Sequence, residues 1–431
     1  MSLGSFLIDV GALADPSAGF VRGGFRIRVE SGVISSIESR SQGRAGSRLV
    51  AFPGLVQPHL HLCQTLFRGM AEGRTLLPWL EERIWPLEAA HTEDTLAVSV
   101  ISGVRELIRS GCTGLVDMGS VEGSCITVDI LRRTGIRAAA ANSLMDAGPS
   151  CLARDPGWLA EESRRVAAAC GGLVQWALAP RFALSASEAL WEMASGYPPS
   201  VVRTTHAAEA AGEVAMPVIA REGGNIRFLE RRRFLGPRTL LAHCVHLEPG
   251  EAEIMAATGT SAVHCPWANL RLGSGIADTA GLARAGVRIM TASDGAACSN
   301  SLDAASAVKL GMGLMSAVAG PGSVDSSAWL ASITSTPAAV LGWPSGRLEK
   351  GMSADLAVIE CSESEAEELE SASDPIRFLL ELHWPSRVLH TISAGRFLMR
   401  DGVISSSPPL PCTAGDARRL VLERAGLAAG V

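Results

Sequence analysis

Apolar and polar positions alternate in short runs at both ends of the chain, and a different rhythm fills the space between them. Phe6-Leu7-Ile8, Phe25-Arg26-Ile27-Arg28-Val29 and Val33-Ile34-Ser35-Ser36-Ile37 are separated by turn signals such as Glu30-Ser31-Gly32. Period-two writing with tight turns predicts a small antiparallel sheet. The same texture returns after Arg347, at 354–359, 388–393 and 395–399, before a hairpin signal at Asp401-Gly402. Two β-rich ends predict one small β-sandwich domain assembled from residues 1–52 and 346–431, with a closing helix that starts near Gly415 after a linker from Pro408.

Between them, short apolar strands alternate with amphipathic helices. Strands are expected at 54–57, 115–118, 138–143, 174–179, 201–205, 240–242, 261–263 and 287–292. Helices are expected at 92–109, 158–170, 187–195, 248–258 and 276–284. In the first of these, Thr92 is placed to cap and Leu96, Val100, Val104 and Leu107 share one face. Eight strand-helix units in succession predict an α/β fold, a distorted (β/α)₈ barrel over residues 53–345. A doubly wound open sheet is the alternative, but no G-x-G-x-x-G follows the first strand, which argues against dinucleotide binding.

Composition narrows the partners. A formal charge of -6 over 431 residues, with no basic stripe, argues against nucleic acid and favours a small ligand. No apolar run reaches the ~20 residues of a membrane span, and the N-terminus has no basic leader, so a soluble protein is expected. Ten cysteines without a C-x-x-C pair suit a reducing cytoplasm. A homo-oligomer is compatible with all of this.

In such a barrel, chemistry gathers where the strands end. His59 and His61 finish the first expected strand, one residue apart and therefore on one side of it. His206, His243, His264 and Asp294 follow strands five to eight, a concentration that matters because the chain has only nine histidines. The most economical reading is one divalent cation held by His59, His61, His206 and Asp294, with Zn²⁺ best suited and Fe²⁺ or Mn²⁺ compatible by ligand type. Lysine occurs only at Lys309 and Lys350, and the fourth strand offers none to bridge a second ion. Glu209, three residues after His206, is placed to move a proton. His243 could orient a water or bind the cation; spacing leaves both open. His264 reads as structural, and His91, His383 and His390 as surface or packing residues.

These stretches resemble the metal-dependent amidohydrolase superfamily, in its branch of cytosine, adenosine and guanine deaminases and triazine chlorohydrolases. The likeness rests on 53–61, on Leu66-Phe67-Arg68-Gly69-Met70-Ala71-Glu72, Trp79-Leu80 and Trp85-Pro86-Leu87-Glu88, and on Thr205-His206-Ala207-Ala208-Glu209. It continues through 242–247, 264–275 and Ser293-Asp294-Gly295-Ala296. The resemblance implies a barrel beside a β-sandwich from both termini, and a single Zn²⁺ or Fe²⁺ on His59, His61, His206 and Asp294. It also implies that His243 orients water, that Glu209 protonates a ring nitrogen, and that Asp294 takes the second proton as ammonia leaves. For substrate, Trp79 and Glu88 resemble residues of deaminases acting on S-adenosylhomocysteine, methylthioadenosine or 5′-deoxyadenosine. Gln64 and Arg181, the latter followed by Phe182, resemble the base-reading pair of guanine deaminases. Asn142 stands where homocysteine-binding relatives carry arginine, and Trp267 replaces a smaller residue near the pocket. Both departures favour a smaller aminopurine or deoxynucleoside.

Overall fold

The structure, a computed structural model, describes residues 4–40 and 48–427. Residues 1–3, 41–47 and 428–431, which include both ends of the expected terminal domain, lie outside the described residues. The chain opens with β1 (Phe6–Asp15), β2 (Gly19–Glu30), β3 (Val33–Arg40) and β4 (Leu49–Pro53), then enters β5 (Leu55–Leu60). There follow β6 (Cys112–Asp117), β7 (Arg137–Ala140), β8 (Ser143–Leu144), β9 (Val174–Pro180), β10 (Val202–Ala207), β11 (Thr239–His243), β12 (Ser261–His264) and β13 (Arg288–Thr291). The chain finishes with β14 (Leu356–Glu360), β15 (Val388–Ser393), β16 (Arg396–Arg400) and β17 (Val403–Ile404).

As the alternation predicts, the two termini share one sheet, in the order β17-β16-β15-β14-β4-β1-β2-β3. Inward positions of its strands, among them Ile8, Val10, Ile27, Val29, Ile34, Val358 and Ile392, form one buried cluster. The sheet folds over on itself: Ala354 N donates to Gly32 O at 2.9 Å, and a Cβ at Gly395 would overlap the Cα of Gly32. The opposite face presents Phe52 and Trp384, ring centroids 4.7 Å apart, to the barrel helices.

The middle of the chain is a parallel sheet in the order β5-β6-β7-β9-β10-β11-β12-β13, with β8 added beside β9. The third expected strand is thus broken into β7 and β8, while the first runs further than expected, through His59. Only Gly54 separates β4 from β5, and a Cβ there would overlap the side chain of Thr113 at the start of β6. The passage between the two sheets is consequently tight.

Neighbouring strands of the barrel pair by backbone bonds, but β5 and β13 close it differently. Gln57 Nε2 donates to Leu302 O at 2.7 Å, and Gln57 Oε1 accepts from Ser293 N at 3.0 Å, so one buried amide fastens the last strand to the first. Gln57→Ala is expected to leave both backbone groups without a partner, at about 1–3 kcal/mol each. Thermal unfolding checks this, and a midpoint equal to the parent's would refute the role.

The helix Glu93–Arg109 starts as expected, with Thr92 Oγ1 accepting from Thr95 N at 3.2 Å, and buries Leu96, Val100, Val104 and Leu107. The final helix, Ala414–Arg424, packs back onto the barrel. There Arg418 donates to the carbonyls of Leu66 and Arg68, and Arg424 Nε to that of Ala90 at 2.8 Å. It therefore braces the two segments that carry Gln64 and Glu88. Among the described residues, no helix is long and apolar enough to cross a membrane.

Candidate functional site

The C-terminal ends of the barrel strands gather the expected residues at one place. His59 lies inside β5 and His61 just beyond it, so strand alternation turns both rings to the same side; their centroids are 5.1 Å apart at 89°. His206, near the end of β10, stacks on His61 with Nε2 atoms 3.1 Å apart. Its Nδ1 lies 2.6 Å from Arg181 O and must donate to it, which leaves a lone pair on Nε2. Asp294, after β13, places Oδ1 3.5 Å from both His59 Nε2 and His61 Nε2.

Four ligand atoms from His59, His61, His206 and Asp294 lie within 4.8 Å of one another. Both ring nitrogens of His59 are buried with no hydrogen-bond partner, a state that normally carries a penalty. Burial lowers His61 to about 3 and drives His206 well below the usual histidine value, so both rings are neutral and able to donate lone pairs. Burial would raise Asp294, but the imidazoles of His59, His243 and His61 pull its carboxyl well below the ordinary range. Three imidazoles and a carboxylate fit a divalent cation by donor chemistry as well as by position.

Beside this cluster stand the other two groups. His243 Nδ1 lies 2.8 Å from Asn269 Oδ1 and so carries the proton, while Nε2 lies 3.2 Å from Glu209 Oε2 and 3.8 Å from Asp294 Oδ2. Burial, then the charges of Asp294 and Glu213, push the Glu209 carboxyl well above the usual glutamate value. Glu213 in turn accepts from Glu209 N at 2.9 Å and from Asn225 Nδ2 at 3.0 Å, fixing the turn that presents Glu209. Nine non-glycine residues among those described have positive φ, and Ala208, His243, Cys244 and Asp294 are four of them. Left-handed backbone is disfavoured for such residues, and its concentration here marks where folding forces place the side chains.

Asn269 and Glu213 were not singled out in the sequence. The signal for Glu213 was its spacing, four residues after Glu209; for Asn269 it was its place in the 264–275 stretch.

A cleft enclosing about 410 Å³ of non-atom space, part of it open to solvent, is lined by His61, Gln64, Trp79, Arg181, Phe182, Glu209 and Asp294 among others. Along its wall Arg181 grips Glu88 with two bonds of 2.6 and 3.0 Å, and Gln64 Nε2 donates to the same carboxylate at 2.8 Å. Burial would raise Glu88, but the Arg181 guanidinium outweighs it and holds the carboxyl below its usual value. Gln64 Oε1, buried and without a partner, points the other way, towards Gly295, where a Cβ would overlap it. Asn142 and Trp267 do not line this cleft. Asn142 Oδ1 accepts from Ser163 Oγ at 3.0 Å, and Trp267 Nε1 donates to Ser306 Oγ at 3.2 Å, so each is turned towards a helix instead. His264 is buried, with both ring nitrogens unpartnered, outside the four-residue cluster.

Comparison with known proteins agrees with this geometry. Residues 50–397 match the amidohydrolase family. A 5-methylthioadenosine/S-adenosylhomocysteine deaminase of Haloarcula marismortui is 31% identical over 417 residues, covering 93% of this chain and 94% of its own. A 5′-deoxyadenosine deaminase of Methanothrix thermoacetophila is 32% identical over 361 residues, 83% of this chain and 84% of that one. In fold, the chain is similar to an adenosine deaminase from Xanthomonas campestris with bound zinc, at a TM-score of 0.86, 24% identity and 98% coverage of each. A guanine deaminase from C. acetobutylicum with bound guanine superimposes at 0.81, with 20% identity over 91% of this chain and 100% of that one. With most of its length matched, this chain belongs to the amidohydrolase family of metal-dependent hydrolases acting on carbon–nitrogen bonds.

Proposed function

We propose that the protein is a mononuclear aminohydrolase that releases ammonia from an aminopurine nucleoside of the adenosine, 5′-deoxyadenosine or methylthioadenosine type. The observation that carries it is the placement of Glu209 and His243, 3.2 Å apart, at the edge of the histidine–aspartate cluster inside a cleft walled by Trp79 and Phe182. The named deaminase relatives support the substrate class. In this reading His59, His61, His206 and Asp294 hold one Zn²⁺, which supplies Lewis acidity that makes water acidic enough to attack near pH 7.

The chain's own groups do the rest. Arg181 fixes the tautomer of His206 through its carbonyl, and Asn269 fixes that of His243, whose free nitrogen orients the attacking water. Glu209 protonates the ring nitrogen next to the carbon under attack, which draws electron density from that carbon, and recovers a proton from the water. Asp294 takes the remaining water proton and passes it to the departing amine, so that water and substrate leave as the ring lactam (N–H beside C=O) and ammonia. Trp79 and Phe182 flank a flat ring, and Gln64 and Arg181, held from behind by Glu88, form the edge that reads it.

A guanine-, pterin- or triazine-type substrate is the second reading. Gln64 Oε1 favours it, since a buried acceptor in the cleft wall suits a ring N–H donor. The proposal further takes residues 1–52 and 346–431 as one domain and 53–345 as the catalytic one. It places the protein in the cytoplasm, consistent with ten unpaired cysteines. Its partner is then a small heterocycle.

Ammonia release from adenosine, 5′-deoxyadenosine, methylthioadenosine, guanine and pterins tests these readings. Turnover of the nucleosides, lost on chelation and restored by Zn²⁺, is expected. Guanine or pterin turnover alone would shift the assignment to the second reading, and silence across the panel would overturn both.

A further inference from the structure

Asp294 faces two ways. Its Oδ1 looks towards His59 and His61, while Oδ2 lies 3.8 Å from His243 Nε2. On that second side the Sγ of Cys265 completes a group, His243, Cys265 and Asp294, whose ligand atoms all lie within 4.8 Å of one another. His243 is 1% exposed, its Nδ1 faces Asn269, and its Nε2 has no hydrogen-bond partner. His243 Nε2 is thus a buried nitrogen without a partner beside these groups, with Glu209 Oε2 3.2 Å away as a further oxygen; the Cys265 thiol rests on Val263 O at 3.6 Å and the Cys298 thiol on Asp294 Oδ2 at 3.4 Å, contacts that a bound cation would replace.

We propose that His243, Cys265 and Asp294 form a second, inhibitory cation site, selective for zinc-like and softer divalent ions, that shares the Asp294 carboxylate with the first. An imidazole, a thiolate and a carboxylate are zinc ligand types, and the thiolate selects against Mg²⁺, Ca²⁺ and Mn²⁺. The Cys265 thiol releases its proton to solvent as the sulfur–metal bond forms. Occupancy ties up His243 and crowds Glu209, so the two groups that handle water and protons are withdrawn from use. Excess zinc then inhibits the protein it activates. The proposal rests on the reading of the first cluster as a cation site.

The test starts from protein carrying one equivalent of Zn²⁺, titrated with Cd²⁺ while bound metal is counted. A second equivalent is expected, bound roughly tenfold or more weakly because two dications repel at close range. An ultraviolet thiolate-to-cadmium charge-transfer band should grow with that second equivalent, and Cys265→Ala should lose both while keeping the first. Because the band is read in the parent protein, a poorly folded variant does not decide the matter. Saturation at one ion per chain without a thiolate band, or a band unchanged in Cys265→Ala, overturns the proposal. Failure to retain even the first equivalent overturns the reading of the first cluster instead.

Discussion

Glu209→Gln is expected to lower the rate of ammonia release by about 10²- to 10⁴-fold, with bound metal and KM close to those of the parent. The substitution keeps the shape of the side chain but removes its exchangeable acidic proton. Burial and the neighbouring Asp294 and Glu213 charges strengthen the parent carboxyl's hold on a proton relative to an ordinary glutamate, which suits a group that gives a proton up and takes one back. An amide can do neither. The carboxylate that receives the Glu209 backbone N–H belongs to Glu213, so the turn survives the change. Steady-state kinetics beside metal analysis separate the outcomes. Unchanged turnover would sink the proton-carrier role, and loss of metal would recast Glu209 as a ligand.

Arg181→Met is expected to destabilise the fold by about 3–5 kcal/mol near neutral pH, because Glu88 would then be a buried charge with no opposite charge beside it and only the Gln64 amide as a hydrogen-bond donor. Arg181 and Glu88 are both nearly inaccessible, at 2% and 5% exposure, and water cannot replace the lost guanidinium. In the parent, the Glu88 carboxyl is held below its ordinary value, so its contribution is present above the unfolded-state glutamate pKa and is lost as pH falls through the folded one. Without Arg181, burial is opposed only by weaker neighbours and the carboxyl rises. The variant should therefore regain stability relative to the parent as acidification protonates Glu88. The double variant Arg181→Met with Glu88→Gln should recover much of the loss at neutral pH. Denaturant unfolding at two pH values reads both effects; a single variant as stable as the parent at pH 7 would show that the pair is not an energetic unit.

Strand-end reasoning located His59, His61, His206, His243 and Asp294 because one rule, that βα loops converge, fixes where such residues meet without knowledge of loop shape. What it could not supply is the direction in which each side chain turns after its strand ends. Ala208, His243, Cys244 and Asp294 reach their places through left-handed backbone, a conformation that Asp and His adopt more readily than most residues but that neither Ala nor Cys foretells. The same gap explains Arg181 and Glu88. The sequence suggests each as a substrate contact, yet the two lie 93 residues apart, and their mutual ion pair exists only because the short helix Trp85–Ala89 that carries Glu88 meets the turn after β9. Asn142 and Trp267 were placed near substrate from their positions in recognisable stretches. In the structure Asn142 accepts from Ser163 and Trp267 donates to Ser306. Gln57 was read as one residue of an apolar strand, whereas its amide is the fastening of the barrel seam.

That seam has a bearing on how the chain reaches its native state. Gln57 and Ser293 are separated by 236 residues, and His59, His61 and Asp294 lie just beyond them. On the proposed reading, the residues that hold the cation come from the first and last strands of the barrel together with the fifth, so the cluster assembles only once these distant strands have met. Joining contacts so distant in sequence is intrinsically slow, since a long loop must be ordered before the contact repays it. Uptake of the cation should accordingly report completion of folding rather than accompany its early stages. A ligand that binds only the finished barrel then shifts the balance against reopening of its seam.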